Sequence, residues 1–364
     1  MRVLLLGYYG YANFGDEWSL AEVAAAIKQA DPGSELRVIS GQPDQTKDLH
    51  GLAAVGRSPH HIYQALTWTD VLVCGGGSLL QDVTSGRSLL FYLGLLSMAQ
   101  RLGKPVVLWG QGIGPITRPM LRDLAGKVLN RAALITVRDQ GSLEFLRQIG
   151  VLRPPLVLAA DPVFTGLQWR PQQITSMPTV LTVVLRDWPG LKPMEWLPSL
   201  ARGIATVAQG LGCPVQLYGV QVQQDRPILQ AMQAICRDLG LTVEIQAGWQ
   251  SLADVARVLA GSGLVVTQRY HVLALAAQLG LAAVGLGYDP KLEALGTRLG
   301  LPVLGKMEVQ DIQRVATVLH DAWLAGREKR SSPVLQELRA AALNSQKAFQ
   351  EVVVQQQAGG VDGG

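Results

Sequence analysis

The side chains best suited to chemistry follow the ends of predicted strands near residue 270. His271 lies at a predicted strand-to-helix junction, two residues after Arg269, and Lys291 follows the Gly-x-Gly turn of the next predicted strand. Only one short helix and one short strand separate the histidine from the lysine, so both return to the same edge of a parallel sheet. An imidazole can act as general acid or base, and a lysine can bind phosphate or carboxylate. The alternative for His271 is a buried histidine that caps a helix.

Two glycine-rich turns could present backbone amides to a ligand. The first reads GYYGYANFGDE over residues 7–17, and its Asn13 and Asp16 could bond to hydroxyl groups. A tight turn in which Asp16 caps the next helix is the alternative. The second turn is Gly75, Gly76 and Gly77 at the end of a buried strand. Three residues without side chains favour amides that face a ligand, with close packing of helix on strand as the alternative.

A further cation, Arg138, ends the predicted strand in the segment TVRD. Its place at the carboxyl end of a buried strand favours anion binding, whereas an arginine beside Asp139 is equally typical of a structural ion pair. Histidines and carboxylates elsewhere are too dispersed for a metal site, and the chain has no G-x-S-x-G nucleophile motif. The predicted chemistry is therefore anion binding and proton transfer without a metal.

Short apolar strands that alternate with helices must position these residues, and this pattern predicts an α/β fold with parallel sheets. The stretches 71–115 and 264–290 look like counterparts, because each is a strand, a turn, an apolar helix and a strand ending in Gly-x-Gly. They predict two Rossmann-like domains that face each other across a cleft. Ligands in such folds bind beyond the carboxyl ends of the strands.

The predicted domain boundaries follow the loss and return of this pattern. We expect an N-terminal domain over 1–168, an aperiodic linker over 166–177 and a C-terminal domain over 178–330. A long helix over 331–355 carries apolar residues at a helical period. The glycine-rich end, 356–364, is predicted to be disordered.

The amino-acid composition excludes several classes of protein. The 364 residues suffice for about two domains, and 48% hydrophobic with 16% charged residues excludes a disordered chain. A net charge of +4 with scattered basic residues argues against a nucleic-acid partner. Three cysteines suit a reducing cytosol, and no apolar stretch is long enough for a secretory signal or a membrane span.

Seven segments in this order, GYYGYANFGDE, CGGGSLLQD, GQGIGP, TVRD, ADPVF, QRYH and GYDPK, resemble the polysaccharide pyruvyl transferase family, and within it the CsaB type. The resemblance runs over about residues 1–325. It implies a GT-B-like architecture and transfer of pyruvate from phosphoenolpyruvate to a sugar as a cyclic ketal, with release of phosphate. The family's basic site maps onto Arg138, His271 and Lys291, with Arg269 two positions before the histidine.

The resemblance also implies an acceptor and a location. CsaB-like enzymes act on N-acetylmannosamine in a lipid-linked cell-wall precursor, and the pyruvylated polymer anchors S-layer proteins. We therefore expect a cytoplasmic protein in peripheral contact with the inner face of the plasma membrane. Phosphoenolpyruvate is the expected donor substrate, with no cofactor and no obligate protein partner. A GT-B-like glycosyltransferase with a nucleotide-sugar donor and a non-catalytic sugar- or anion-binding protein are the alternatives.

Overall fold

The computed structural model describes residues 1–83, 85–169, 179–187, 192–326 and 333–359. The chain divides into two compact units. The first consists of Met1–Arg170 with Gln336–Gly364, and the second of Pro171–Leu335. Most of the predicted linker, from residue 170 onward, and residues 360–364 of the predicted tail lie outside the described residues.

The first unit is a seven-stranded sheet in which all neighbouring strands pair in parallel. Its strands are β1 (Arg2–Leu6), β2 (Glu35–Ile39), β3 (Ala53–Val55), β4 (Val71–Gly75), β5 (Val106–Gln111), β6 (Leu134–Val137) and β7 (Leu156–Leu158). Its first six helices are α1 (Phe14–Ala30), α2 (Pro43–His50), α3 (Pro59–Trp68), α4 (Gly86–Arg101), α5 (Pro119–Leu129) and α6 (Gln140–Gln148). A short 3-10 helix spans Pro162–Phe164.

The second unit repeats this design with a six-stranded parallel sheet. Its strands are β8 (Val180–Val184), β9 (Val215–Gly219), β10 (Val243–Ala247), β11 (Ser262–Thr267), β12 (Ala283–Gly287) and β13 (Val303–Gly305). Its helices are α7 (Pro193–Leu211), α8 (Val222–Asp238), α9 (Leu252–Ala260), α10 (Tyr270–Leu279), α11 (Pro290–Leu299) and α12 (Ile312–Ala325), with a 3-10 turn at Glu308–Gln310.

Strand order decides where each unit can bind a ligand. The order is β3-β2-β1-β4-β5-β6-β7 in the first sheet and β10-β9-β8-β11-β12-β13 in the second. In each sheet the order reverses beside the strand that comes first in the sequence. The reversal lies between β1 and β4 in the first sheet and between β8 and β11 in the second. Ligands in open α/β sheets bind outside the carboxyl ends of the strands at such a switch point. The predicted α/β class with Rossmann-like parallel sheets is confirmed.

A long C-terminal helix, α13 (Pro333–Gly359), completes the core of the first unit. The fully buried ring of Phe349 lies 5.2 Å from that of Trp109 on β5, centroid to centroid. Ser345 Oγ lies 2.7 Å from Thr136 Oγ1 on β6. The buried side of the helix is the predicted apolar stripe, with Leu338, Ala342, Phe349 and Val353. The predicted C-terminal helix is thus confirmed, and it extends as far as Gly359.

We expect Phe349→Ala to lower the free energy of unfolding of the first unit by about 3–5 kcal/mol, because it leaves a cavity against the sheet. Urea unfolding, with hydrogen exchange of the β5 and β6 amides to identify the unit, measures the loss. The control is Val354→Ala on the same helix, where the side chain is 64% exposed and the expected loss is below about 0.5 kcal/mol. Equal losses in the two variants would contradict the packing described for α13.

Candidate functional site

The glycine-rich turn after β1 is held by a buried carboxylate. The Gly10 N–H donates to Glu17 Oε1 at 2.8 Å, and Glu17 Oε2 lies 2.9 Å from Nε2 of the buried His50 ring. Asn13 occupies the N-cap position of α1, and Asp16 lies in the first helical turn, 9% exposed. The alternative in which Asp16 caps this helix is therefore wrong. Contact of Asn13 and Asp16 with substrate hydroxyls stays a prediction.

The three glycines that end and follow β4 pack closely against α1. A Cβ added at Gly76 would lie 2.5 Å from Cβ of Ser19, and one at Gly77 would lie 2.8 Å from Oδ1 of Asp16. Gly76 and Gly77 also have φ of 68° and 74°, which disfavours any residue with a Cβ. The Tyr9 hydroxyl donates to the carbonyl of Gly75. Packing and turn geometry thus account for the three glycines, and their ligand-binding role stays a prediction.

Arg138 is buried just after β6 and donates hydrogen bonds to Ser78, beside the three glycines, and to Asp161, after β7. Its Nη1 donates to Asp161 Oδ2 at 2.6 Å, and its Nη2 donates to Ser78 Oγ at 2.9 Å. Asp139, the N-cap of α6, is farther away, with 3.8 Å between Oδ2 and Arg138 Nε. A Cβ at Gly112 would lie 2.9 Å from Arg138 Nε, so the guanidinium also fills the space beside the turn that follows β5. These contacts support a positioning role for Arg138 in the first unit.

In the second unit, Arg269 follows β11 and forms the N-cap residue of α10. Its guanidinium is buried, with Nη1 donating to Gln221 Oε1 at 3.1 Å and Nη2 donating to the buried carboxylate of Asp225. Arg269 Nε is also buried and has no acceptor among the described residues. The charge of Arg269 is therefore largely offset by Asp225, while one of its N–H groups remains for another acceptor.

Arg186, which the sequence motifs did not identify, lies beyond the end of β8 at the same switch point. Its backbone N–H donates to Gln268 Oε1 at 3.1 Å, and its Nη1 donates to Tyr288 Oη at 3.4 Å. Burial lowers the pKa of the Arg269 guanidinium, Asp225 opposes this shift, and the positive charge of Arg186 adds to it. Arg186 and Arg269 thus follow two neighbouring strands at the carboxyl edge of this sheet. The signal in the sequence was an arginine after the apolar strand of segment 180–187.

His271 and Lys291 occupy the first turns of α10 and α11. Strands β11 and β12, which lead into these helices, are paired in parallel with Thr267 opposite Gly285. The predicted return of both residues to one sheet edge is therefore confirmed. Helix N-termini at this edge add partial positive charge from unpaired N–H groups, which favours an anion. The Lys291 N–H donates to Asp289 Oδ1 at 2.9 Å, which caps α11.

The second unit thus brings Arg269, His271 and Lys291 to one edge with Arg186. The other predicted site residues, Asn13, Asp16, the three glycines and Arg138, belong to the first unit. Within the described ranges, no group of three or more His, Cys, Asp or Glu side chains could hold a metal ion. No helix in the same ranges is long and apolar enough to cross a membrane. The second unit's edge can bind a multiply charged anion and offer it one proton-transfer group.

Comparisons with known proteins agree with this fold. The chain is 22% identical over 268 residues to the amylovoran biosynthesis protein AmsJ of Erwinia amylovora, covering 67% of this chain and 62% of that protein's length. The UDP-GlcNAc 2-epimerase of Methanocaldococcus jannaschii superposes with a TM-score of 0.65 at 10% identity, covering 97% and 99% of the two chains. A glycosyltransferase from Rickettsia africae gives a TM-score of 0.61 at 8% identity, with 97% of each chain covered.

The two structural likenesses confirm the predicted GT-B-like fold and concern the fold alone. The sequence match is more specific, since residues 13–290 match the model of one family, polysaccharide pyruvyl transferase. This match starts in the turn after β1 and ends beside Lys291, so it includes nearly every residue of the two strand-end edges described above. The chain therefore belongs to the polysaccharide pyruvyl transferase family.

Proposed function

We propose that this protein transfers pyruvate from phosphoenolpyruvate to two hydroxyls of a sugar in a cell-wall or surface polysaccharide precursor, forming a cyclic ketal. The observation that carries the proposal is the pair Arg186 and Arg269 at the switch point of the second unit, beside helix α10, whose first turn contains His271. Family membership supports polysaccharide pyruvylation in general. The donor and the ketal chemistry are what the resemblance of the seven segments implies, and the charges at this edge fit that donor.

Phosphoenolpyruvate fits the charges of this edge. It carries a carboxylate and a phosphate, about three negative charges near neutral pH. Arg186, Arg269 and Lys291 bring positive charge to this edge, and the carboxylate of Asp225 lies against Arg269. The guanidinium of an arginine binds phosphate through two parallel hydrogen bonds, whereas the ammonium of a lysine acts as a point charge. We therefore assign the phosphate to Arg186 and Lys291, with the remaining N–H of Arg269 facing the same anion.

The reaction requires two proton movements and two new bonds to one carbon. C3 of the donor gains a proton, C2 forms bonds to two acceptor oxygens, and the bond from C2 to the phosphate oxygen breaks. Of the two hydroxyl protons, one ends on C3 and the other leaves on the phosphate, which keeps the bridging oxygen. We assign transfer of these protons to His271, because its imidazole lies at the same sheet edge as Arg186 and Arg269.

For the first unit we propose a role with the acceptor. Arg138 holds Ser78 and the glycine turns in place, and Asn13 and Asp16 bind acceptor hydroxyls at the switch point of that sheet. The proposed acceptor is N-acetylmannosamine on a lipid-linked precursor, as in CsaB-type enzymes that prepare S-layer anchors. With this acceptor the protein would work at the inner face of the plasma membrane.

The test is phosphate release from phosphoenolpyruvate across a panel of sugar acceptors, with the product's mass checked for an added pyruvyl ketal. We expect phosphate and ketal in equal amounts, and thermal stabilisation by phosphoenolpyruvate but not by UDP-sugars. Stabilisation by UDP-sugars alone would overturn the proposal in favour of a nucleotide-sugar glycosyltransferase. Binding of phosphoenolpyruvate without turnover on any acceptor would indicate a non-catalytic binding protein. Arg257→Met, an exposed change on α9, is the control variant.

A further inference from the structure

Two helices of the first unit, α4 and α5, expose large apolar side chains to solvent. The exposed positions of α4 recur at helical spacing and form one stripe, which consists of Arg87, Leu90, Gly94, Met98 and Arg101. A second exposed stripe, on α5, consists of Met120, Leu124 and Lys127. Leu90 is 47% exposed and Met120 is 84% exposed. Each stripe therefore combines apolar side chains with cations.

The two helices lie side by side, so the two stripes belong to one surface. A Cβ added at Gly86, the first residue of α4, would meet the guanidinium of Arg118, which precedes α5. At the other ends of the helices, Gln100 Nε2 donates to the carbonyl of Val128 at 2.9 Å. Both helices cover the same core on one side of the sheet. We call the two stripes, together with the exposed Arg118 and Arg122, the α4–α5 face.

The segment that forms this face contains the net positive charge of the chain. Residues 86–131 include seven lysines and arginines and a single acid, Asp123. The whole chain has 32 basic and 28 acidic residues, so the rest of it has 25 basic and 27 acidic residues. Asp82, which accepts the N–H of Arg118 at 3.0 Å, offsets part of this charge. A partner of the α4–α5 face should therefore be negatively charged.

The distribution of apolar and basic side chains on the face distinguishes a membrane from a protein partner. Interfaces between proteins usually have a contiguous apolar centre from which charged residues are depleted. On the α4–α5 face the apolar side chains are instead separated by cations and by Gly94. Such a mixture fits an anionic bilayer, because apolar groups enter the headgroup region while Lys and Arg bind the headgroups.

The face borders the edge of the sheet at which we place the acceptor. Helix α4 follows the turn that contains the three glycines after β4, and α5 follows the turn after β5. Both helices therefore begin at the carboxyl edge of the first sheet, with Arg87 and Arg118 at their starts. A bilayer on this face would have its headgroups beside that edge.

We propose that the α4–α5 face docks on a membrane containing anionic lipids and so brings the lipid-linked acceptor to the carboxyl edge of the first sheet. The inference rests on the proposed function for the identity of the acceptor, whereas the docking itself does not depend on the donor. Leu90, Met98 and Met120 enter the headgroup region, and the surrounding arginines bind lipid phosphates.

The test is co-sedimentation of the full chain, without substrates, with phosphatidylcholine vesicles that contain or lack phosphatidylglycerol. Each Lys or Arg near an anionic surface contributes about fivefold in affinity, so we expect binding to the anionic vesicles to be at least about tenfold tighter. High salt should weaken this binding, because it screens the charges.

Equal binding to both kinds of vesicle, or binding to neither, would overturn the docking and leave the proposed reaction intact. Absence of phosphate release from phosphoenolpyruvate on every acceptor would overturn the proposed function instead, and the vesicle result would still decide the docking.

A first pair of substitutions removes cations from the face. Arg87→Gln with Lys127→Gln should weaken binding to anionic vesicles about 10–30-fold, at about fivefold per cation. Arg202→Gln with Arg298→Gln removes two exposed cations of the second unit and is the control, with less than a threefold change. Equal losses in the two double variants would show that binding follows net charge and not this face, which would overturn the proposal.

A second pair removes apolar groups. Leu90→Gln with Met120→Gln should weaken binding to anionic vesicles at least about tenfold, because these side chains no longer leave water. Leu324→Gln with Met307→Gln in the second unit is the matched control, since these side chains are 47% and 76% exposed. Equal binding by the two double variants would overturn the proposal.

Two further readouts separate docking from other roles of the face. Phosphate release with a water-soluble acceptor should stay within twofold in the Leu90, Met120 variant, and a loss as large as that of vesicle binding would place the face in the reaction instead. Analytical ultracentrifugation tests the remaining occupant, a second copy of this chain. Self-association that this variant abolishes while vesicle binding is unchanged would overturn the membrane assignment.

Discussion

Replacing His271 with glutamine is expected to lower kcat for phosphate release from phosphoenolpyruvate by about 10²–10⁴-fold, the usual contribution of one positioned acid or base. Glutamine keeps a polar side chain of similar length but cannot take up and release a proton near neutral pH. Because the loss is in proton transfer, the dissociation constant of phosphoenolpyruvate should change by less than about threefold. Steady-state kinetics with the best acceptor, together with calorimetry, measure the two quantities separately.

The control for this prediction is His320→Gln, on the surface of α12, with a half-exposed ring. Its kcat should stay within threefold of that of the unchanged protein. His271→Ala gives a second version of the test, since it removes the imidazole without adding an amide. Turnover within about threefold in both His271 variants would remove this residue from the mechanism, whatever the effect on binding. Loss of binding without loss of kcat would make it a binding residue.

The sequence predicted the second unit's edge well because its residues are close along the chain. His271 and Lys291 each follow one of two consecutive strands, and consecutive parallel strands joined by a helix become neighbours in the sheet. Arg186 was missed because β8 precedes β11 by almost eighty residues, and a single arginine after a strand has no motif. Only the sheet order, which places β8 beside β11, reveals that Arg186 and Arg269 are neighbours.

The buried partners of the arginines were also beyond sequence reasoning. Arg138 is next to Asp139 in the sequence, which suggested an ion pair between these two residues. In the structure its short hydrogen bond is instead to Asp161, in the loop after β7. Asp225, on α8, lies in a different part of the chain from Arg269, its partner. Such pairs form between residues that are distant in the sequence, so the local spacing of residues does not predict them. They matter because they change which cations are available to a substrate.

Three short edge strands were also missed. The pattern analysis identified the central strands, which are buried on both faces and read as apolar runs. It missed β3, β7 and β13, each of three residues at a sheet edge. Three residues are too few to show a period of two, and an edge strand that is half exposed need not be apolar. The fold class did not depend on them, since the switch points lie at the centres of the sheets.

Arg186→Met is expected to lower kcat/KM for phosphoenolpyruvate by about 10²-fold, because a guanidinium contributes two charge-assisted hydrogen bonds to a phosphate. Arg186→Lys keeps the positive charge but lacks the two parallel N–H donors of the guanidinium. We therefore expect its kcat/KM to lie between those of Arg186→Met and the unchanged protein. The exposed Arg202→Met on α7 is the control, with kcat/KM within twofold. An unaltered kcat/KM in Arg186→Met would contradict the assignment of the phosphate to this side chain.

Arg186 is a sharper test than Arg269, although Arg269 belongs to the sequence motif. Removing Arg269 leaves the carboxylate of Asp225 buried without its cation, and breaking a buried pair in this way costs about 3–5 kcal/mol of stability. A loss of activity in Arg269→Met would therefore mix unfolding with weaker substrate binding. Arg186 is only half-buried, and two of its N–H groups donate to the neutral side chains of Gln268 and Tyr288. Because it is partly in contact with solvent, we expect its replacement to lower donor affinity with a smaller fall in the urea midpoint than that of Arg269→Met. An equal fall would mean that Arg186 stabilises the fold instead.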